Sequence, residues 1–283
     1  MRHRVSGVNR RPTRPTGTIT RGTTNPNRLR RVDRFLTGPL AGRLRAAGPK
    51  PVAVDLGYGA RPFTAIELHE RLLRVRPDVR LLGLEIDPAR VAAALPHARE
   101  DRAFRRGGFE LPLPDGWAQP TIVRAFNVLR QYDEDEVAAA WAMLTGRLAP
   151  GGVLVEGTCD ELGRRASWVT LDAAGPRWFT ISQRLADLTR PGEVADRLPK
   201  ALIHHNVPGE PIHTWLTALD RAWELAAPLS VHGARQRWIA AVGSLRSAGH
   251  PVLDSAARWR LGEVTVPWSA VAPLDSPPFS DSR

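Results

Sequence analysis

The chain has 283 residues, 42% of them hydrophobic and 24% charged, with a net charge of +11 and one cysteine. A chain of this length buries roughly 75% of its unfolded surface, enough for one domain with appendages or two small ones. No apolar run approaches the ~20 residues of a membrane span. No apolar segment near the start fits a secretory signal, and a lone Cys159 excludes an intrachain disulfide framework; both point to a reducing cytoplasm.

Charge is unevenly placed. Residues 1–50 carry 13 of the 40 Arg and Lys and one acid, Asp33, so that stretch is at +12 and the remainder at −1. Residues 1–28 have almost no large apolar groups, which predicts a disordered basic arm. Such an arm suits RNA or another polyanion, and a solvated tail is the plainer alternative. Leu29, Val32, Leu36, Leu40 and Leu44 then recur at helical spacing and predict a helix over 29–44.

Val52-Ala-Val-Asp-Leu-Gly-Tyr-Gly59 reads as an apolar strand running into an acid and two glycines. A helical pattern over 64–75 follows, then a second strand, Leu81-Leu-Gly-Leu-Glu-Ile-Asp87. This is a βαβ unit with a glycine turn at its first carboxyl end, where open α/β sheets hold nucleotide ligands. Glu85 sits where a carboxylate can accept both ribose hydroxyls, so the expected ligand contains adenosine. A dinucleotide fingerprint wants glycine at the position of Pro62, whose missing N–H a pyrophosphate would use.

These residues resemble the first motif of class I S-adenosylmethionine (SAM)-dependent methyltransferases, acid-x-Gly-x-Gly, with Asp55, Gly57 and Gly59 on the matching positions. The motif's usual third glycine falls on Arg61. The resemblance continues through Glu85 and Ile86, the Gly107-Gly-Phe-Glu-Leu-Pro112 loop, a strand delivering Asn127, and Leu148-Ala-Pro-Gly-Gly-Val-Leu-Val-Glu156. It covers Val52 to Cys159. Gly107 stands near the place of the acid that meets the adenine amino group. What the resemblance implies is a cofactor site for SAM formed by Asp55, Gly57, Tyr58, Gly59, Glu85, Ile86, Phe109 and Asn127.

Past Cys159, alternating strands over 168–172 and 177–182 flank a glycine-proline turn and predict a β-hairpin. The link over 160–166 is too short for a crossover helix. Helical patterns follow near 193–204, 212–226 and 233–247, then a short strand near 263–266. The expected fold is therefore α/β: a Rossmann-like seven-stranded methyltransferase sheet closed by an antiparallel hairpin, with a C-terminal helical extension. The expected boundaries are an arm over 1–28, a SAM-binding domain over 29–190, the extension over 191–272 and a loose tail over 273–283.

Trp215, Leu216, Leu219 and Trp223 recur at helical spacing and read as core. His204, His205 and His213 match no zinc spacing. Cys159 reads as a packed side chain, and Asp133-Glu-Asp-Glu136 as a helix N-terminus. Arg130 and Tyr132 are rim candidates for substrate contact, Glu156 and Asp160 candidates for acid/base work. The resemblance implies methyl transfer to an unidentified acceptor, a small molecule or RNA. The alternative is a non-catalytic SAM-binding or regulatory module that binds a partner or nucleic acid.

Overall fold

A computed structural model describes residues 15–20, 22 and 24–275. Two short helices come first, α1 (Arg30–Leu36) and α2 (Ala41–Ala46). The single helix expected over 29–44 is broken at Gly38-Pro39, because proline has no N–H to donate and disfavours helical backbone before it. Leu29, Val32, Leu36, Leu40 and Leu44 are nonetheless all buried, so the spacing identified the right face across the break.

Then come β1 (Val52–Leu56), α3 (Phe63–Leu73), β2 (Arg80–Glu85), α4 (Pro88–Ala94), β3 (Arg102–Arg106), β4 (Pro120–Phe126), α5 (Glu134–Thr145) and β5 (Val153–Cys159). These five strands lie in the order β3-β2-β1-β4-β5, all parallel. β1, β4 and β5 are buried at every position, as strands covered on both faces must be. Asp87 caps α4 through its carboxylate, and Asp133 with Glu136 forms a capping box on α5.

β6 (Arg165–Asp172) and β7 (Gly175–Gln183) form the expected hairpin, laid antiparallel on β5 with no helix over 160–164. The extension begins with a 3-10 turn, Pro191–Arg197, and continues as α6 (Lys200–Ile203), α7 (Pro211–Leu225), α8 (Ala234–Ser247) and α9 (Ala256–Trp259). The helix expected over 193–204 is reduced to that turn and α6, interrupted by Pro199. β8 (Glu263–Pro267) then pairs with β7, so the sheet has eight strands where seven were expected.

Two cores sandwich the sheet. One gathers α1, α2 and α3; the other gathers α5, α7 and α8, with Trp215, Trp223 and Trp238 buried in it. Trp215 meets Phe179 edge-on at 6.0 Å, which fastens the extension to β7. No helix among the described residues is long and apolar enough to cross a membrane.

Candidate cofactor site

The strand order reverses direction between β1 and β4: β2 lies on one side of β1 and β4 on the other. The loops leaving the carboxyl ends of β1 to β5 meet there, at the crevice such sheets use for ligands. Gly57 and Gly59 turn at φ +72° and +84°. A Cβ on Gly57 would lie 2.9 Å from Val128, so this turn needs glycine for both conformation and space. Asn127 also has positive φ, 58°, which asparagine tolerates better than most residues. Its side-chain oxygen accepts from the Cys159 N–H at 3.0 Å, and its backbone N–H donates to the Gly157 carbonyl at 2.8 Å.

Glu85 is buried at the tip of β2. Its carboxylate accepts from the Gly59 N–H at 3.0 Å and the Ile86 N–H at 2.9 Å, with Arg90 3.5 Å away. Asp55 faces elsewhere. It takes two guanidinium contacts from the fully buried Arg124, Nε at 2.9 Å and Nη2 at 2.8 Å. Arg124 also binds Asp33 of α1 and the Thr64 carbonyl of α3, so Asp55 belongs to the floor of the site. Burial works against the Arg124 charge, but Asp33 and Asp55 outweigh it and hold the guanidinium protonated. Tyr58 turns its ring inward against Phe104, 5.5 Å between centroids, and burial pushes its phenol pKa up.

Residues 15–20, expected in a disordered arm, instead cross the open edge as an extended strap. The Thr16 carbonyl accepts from the Phe109 N–H at 3.0 Å, and Glu110 accepts from the Thr16 N–H at 2.9 Å. Tyr132 Oη accepts from the Thr18 N–H at 2.5 Å, and Gln131 donates to the Thr18 carbonyl at 3.0 Å. Arg90 holds the Thr20 carbonyl at 2.8 Å, and the Ala60 N–H holds that of Gly22 at 3.0 Å. Gly17 packs between Ile86, Phe109 and Tyr132. The reason is local: a Thr/Gly-rich strip lacks apolar groups to bury but offers carbonyls to loops with spare N–H donors. Residues 1–14 lie outside the described residues.

The strap divides the edge in two. On one side the slot among Glu85, Ile86, Gly107, Gly108, Phe109 and Tyr132 is reduced to about 10 Å³. On the other a cavity of about 370 Å³ opens beside Gly57, Gly59, Asn127 and Cys159. Arg28, Arg130 and Arg197 line it. Arg28 Nε donates to the Asp160 carbonyl at 3.0 Å, and Arg130 Nη1 to that of Asp196 at 2.8 Å. Burial and the neighbouring Arg197 both lower the Arg130 pKa.

The predicted residues thus fall into three places. Glu85, Ile86 and Phe109 share the slot; Gly57, Tyr58, Gly59 and Asn127 reach the cavity; Asp55 lies beneath. Of the rim candidates, Arg130 lines the cavity and Tyr132 the slot. Glu156 is wholly buried on β5 against Trp141, and burial pushes its pKa up to about 8. Asp160 accepts from the Arg164 and Arg165 N–H groups and holds a turn. Burial pushes the Cys159 thiol up, away from nucleophilic ionisation. His205 lies between Glu134 at 2.5 Å and Glu210 at 3.5 Å, an ion-pair arrangement. Sequence reasoning missed Arg28, Arg197 and the strap, which no local motif marks.

No family model matches the chain, and no curated protein matches it. Several solved structures are similar to part of it. The magnesium protoporphyrin IX methyltransferase of Synechocystis PCC 6803, solved with bound S-adenosylhomocysteine, is 18% identical over 46% of this chain and 54% of that one, with a TM-score of 0.35. A putative sarcosine dimethylglycine methyltransferase from Galdieria sulphuraria is 19% identical over 50% of this chain and 55% of that one, TM-score 0.34. A structure titled a pericyclic reaction enzyme is 18% identical over 43% of this chain, TM-score 0.35, and the match spans only 31% of its own length. This chain therefore spans about a third to just over half of these proteins, and at these scores neither reaction nor ligand passes from them to it.

Proposed function

We propose that the protein is a SAM-dependent methyltransferase whose donor site is the slot and glycine turn, with the acceptor in the adjoining cavity. One observation carries the reading. A buried carboxylate, an apolar slot between Ile86 and Phe109, and a two-glycine turn converge at the sheet's switch point. These groups suit ribose hydroxyls, an adenine ring and a closely approaching aminoacyl end. SAM supplies an electrophilic methyl on a sulfonium that leaves as a neutral thioether. The chain's task is then alignment, which can contribute roughly 7–11 kcal/mol. Glu85 would anchor the ribose, Gly57 and Gly59 would admit the donor's methionine, and Asn127 would hold the edge of the cavity through Cys159. Glu161 is the carboxylate among the cavity's lining residues, so proton removal, where an acceptor needs it, falls to that group or to solvent.

Calorimetric titration with SAM and, in parallel, NADH tests this. SAM binding without an NADH response is expected, and Glu85→Ala should weaken SAM by about tenfold or more, the loss of a charged hydrogen-bonding partner. Unchanged affinity in that variant would overturn the ribose contact.

A non-catalytic SAM-binding or regulatory module is the second reading, favoured because the chain's own residues fill the slot. Failure of any methyl transfer from saturating SAM to metabolite or RNA pools would select it. An RNA role for the basic arm falls largely on residues 1–14, outside the described residues.

A further inference from the structure

We propose that the cavity beside Gly57 and Asn127 is an anion site, made for a small molecule carrying a carboxylate or phosphate. That this molecule is the methyl acceptor rests on the reading above; that it is an anion rests on the cavity alone. Three guanidinium groups converge from separate segments: Arg28 ahead of α1, Arg130 after β4, and Arg197 at the end of the 3-10 turn before α6. The lining offers one carboxylate, Glu161, against them. Asp196 stands 3.7 Å from Arg197 but is shared with Arg165 at 3.4 Å. Arg197 Nε is buried and makes no hydrogen bond. Burial lowers the Arg130 pKa first, the nearby Arg197 lowers it further and Asp196 offsets part of the shift, so Arg130 and Arg197 bring two like charges close together beside the cavity. A carboxylate or phosphate relieves that repulsion and accepts from planar forks in the geometry arginine is built for. A volume of about 370 Å³ falls in the range of small-ligand sites.

The test titrates inorganic phosphate and succinate calorimetrically into the full chain, with and without SAM. The wild type should bind at least one of them. Arg130→Gln/Arg197→Gln should weaken that binding by about tenfold or more, and Arg130→Lys/Arg197→Lys should keep most of it. Thermal unfolding confirms that both variants fold. Which anion responds separates carboxylate from phosphate. Equal affinity in the glutamine variant, or no binding of either anion to the wild type, would overturn the site. Anion binding without any SAM binding would leave the site standing and break the methyltransferase reading.

A different set of contacts carries a second inference. We infer that the strap of residues 15–20 with Gly22 and Thr24 competes with adenosine, closing the donor slot until it is displaced. The Thr16, Thr18, Thr20 and Gly22 carbonyls are each held by a donor of the slot or its rim, and Gly17 occupies the gap between Ile86 and Phe109. Gly17 has φ +130°, and a Cβ there would lie 2.8 Å from Tyr132 Oη; at Gly22 it would lie 2.6 Å from Arg90. Gly17→Val/Gly22→Val in the full chain should therefore unseat the strap without altering a slot wall. Hydrogen exchange at the Phe109 and Ala60 amides reads the release directly. SAM affinity should rise by about tenfold if the closed form dominates by a similar ratio. Released amides with unchanged or weaker SAM binding would overturn competition; released amides with no SAM binding would overturn the donor-site reading as well.

Discussion

The two halves of the carboxyl edge are built on opposite principles. The slot is closed, almost empty of volume, and held by backbone carbonyls against N–H donors. The cavity is open, about 370 Å³, and ringed by arginine side chains. A pocket closed by a handful of hydrogen bonds to the strap's backbone, each contributing about 1–3 kcal/mol net, can open without unfolding the domain. A pocket lined by several guanidinium groups and one carboxylate instead favours an anion. The contrast teaches that two sides of one crevice can be controlled separately.

Both halves stand on one floor, and breaking it should give the largest effect. Arg124→Leu removes the buried cation shared by Asp33 of α1 and Asp55 of β1. Leaving Asp55 buried without its cation, and Asp33 with Arg71 alone, should cost about 3–5 kcal/mol, read as a lowered denaturant midpoint, and ligand binding should fail on both sides together. A variant that unfolds normally but loses only one side would show that the halves do not share this support.

Glu156 sharpens the cavity side next. It precedes Gly157, whose carbonyl holds the Asn127 N–H, and neither carboxyl oxygen has a well-formed hydrogen bond. Burial raises its pKa to about 8 from the ordinary 4.5, with the Trp141 indole tempering the shift. A raised folded pKa contributes stability fully present below the unfolded value and lost as pH climbs through the folded one. Stability should thus fall between about pH 4.5 and pH 8, by several kcal/mol in total. Glu156→Gln should flatten that slope and be the more stable protein at pH 8. A slope that survives the substitution would assign it elsewhere.

How much of this was legible beforehand differs between the halves. The Gly57–Gly59 turn is legible in the sequence because positive φ and close approach call for glycine, and the apolar run ahead of Glu85 places that residue at the end of β2. The hairpin and Trp215–Trp223 were readable from periodicity alone. Asp55 was read from a motif, yet its partner Arg124 lies 69 positions away, and only the β1–β4 register sets them side by side. The cavity's arginines come from three segments, and nothing about Arg197 in isolation distinguishes it from 37 other arginines. Low apolar content predicts disorder only when no other element needs a segment's backbone groups, and residues 15–20 meet such partners.

On the slot side, Tyr132→Phe removes the oxygen that accepts from the Thr18 N–H. The strap should loosen by about 1 kcal/mol, and SAM affinity should rise by up to about fivefold as the open form gains population. Arg130→Lys, across the strap, should leave that affinity where it is. Equal changes from both substitutions would erase the distinction between the halves.

The smallest effect concerns the clasp between α5 and the extension, which bears on neither half directly. Burial lowers the His205 pKa, but hydrogen bonds and charge from Glu134 and Glu210 outweigh it and leave it raised. The clasp is therefore strongest with His205 protonated, below the ordinary histidine pKa of about 6.5, and is lost as pH rises through the folded value. Its solvent exposure limits the contribution, so the thermal midpoint should drop only slightly with pH beyond the Glu156 slope. His205→Gln should remove that increment, seen most cleanly in the Glu156→Gln background, where the larger titration is absent. Anion and SAM affinities should not move, because α6 and α7 meet the crevice through neither the strap nor the three arginines. A change in either affinity would mean that the clasp couples to the crevice through the 3-10 turn that carries Arg197, and the contrast between closed and charged halves would then need a third control.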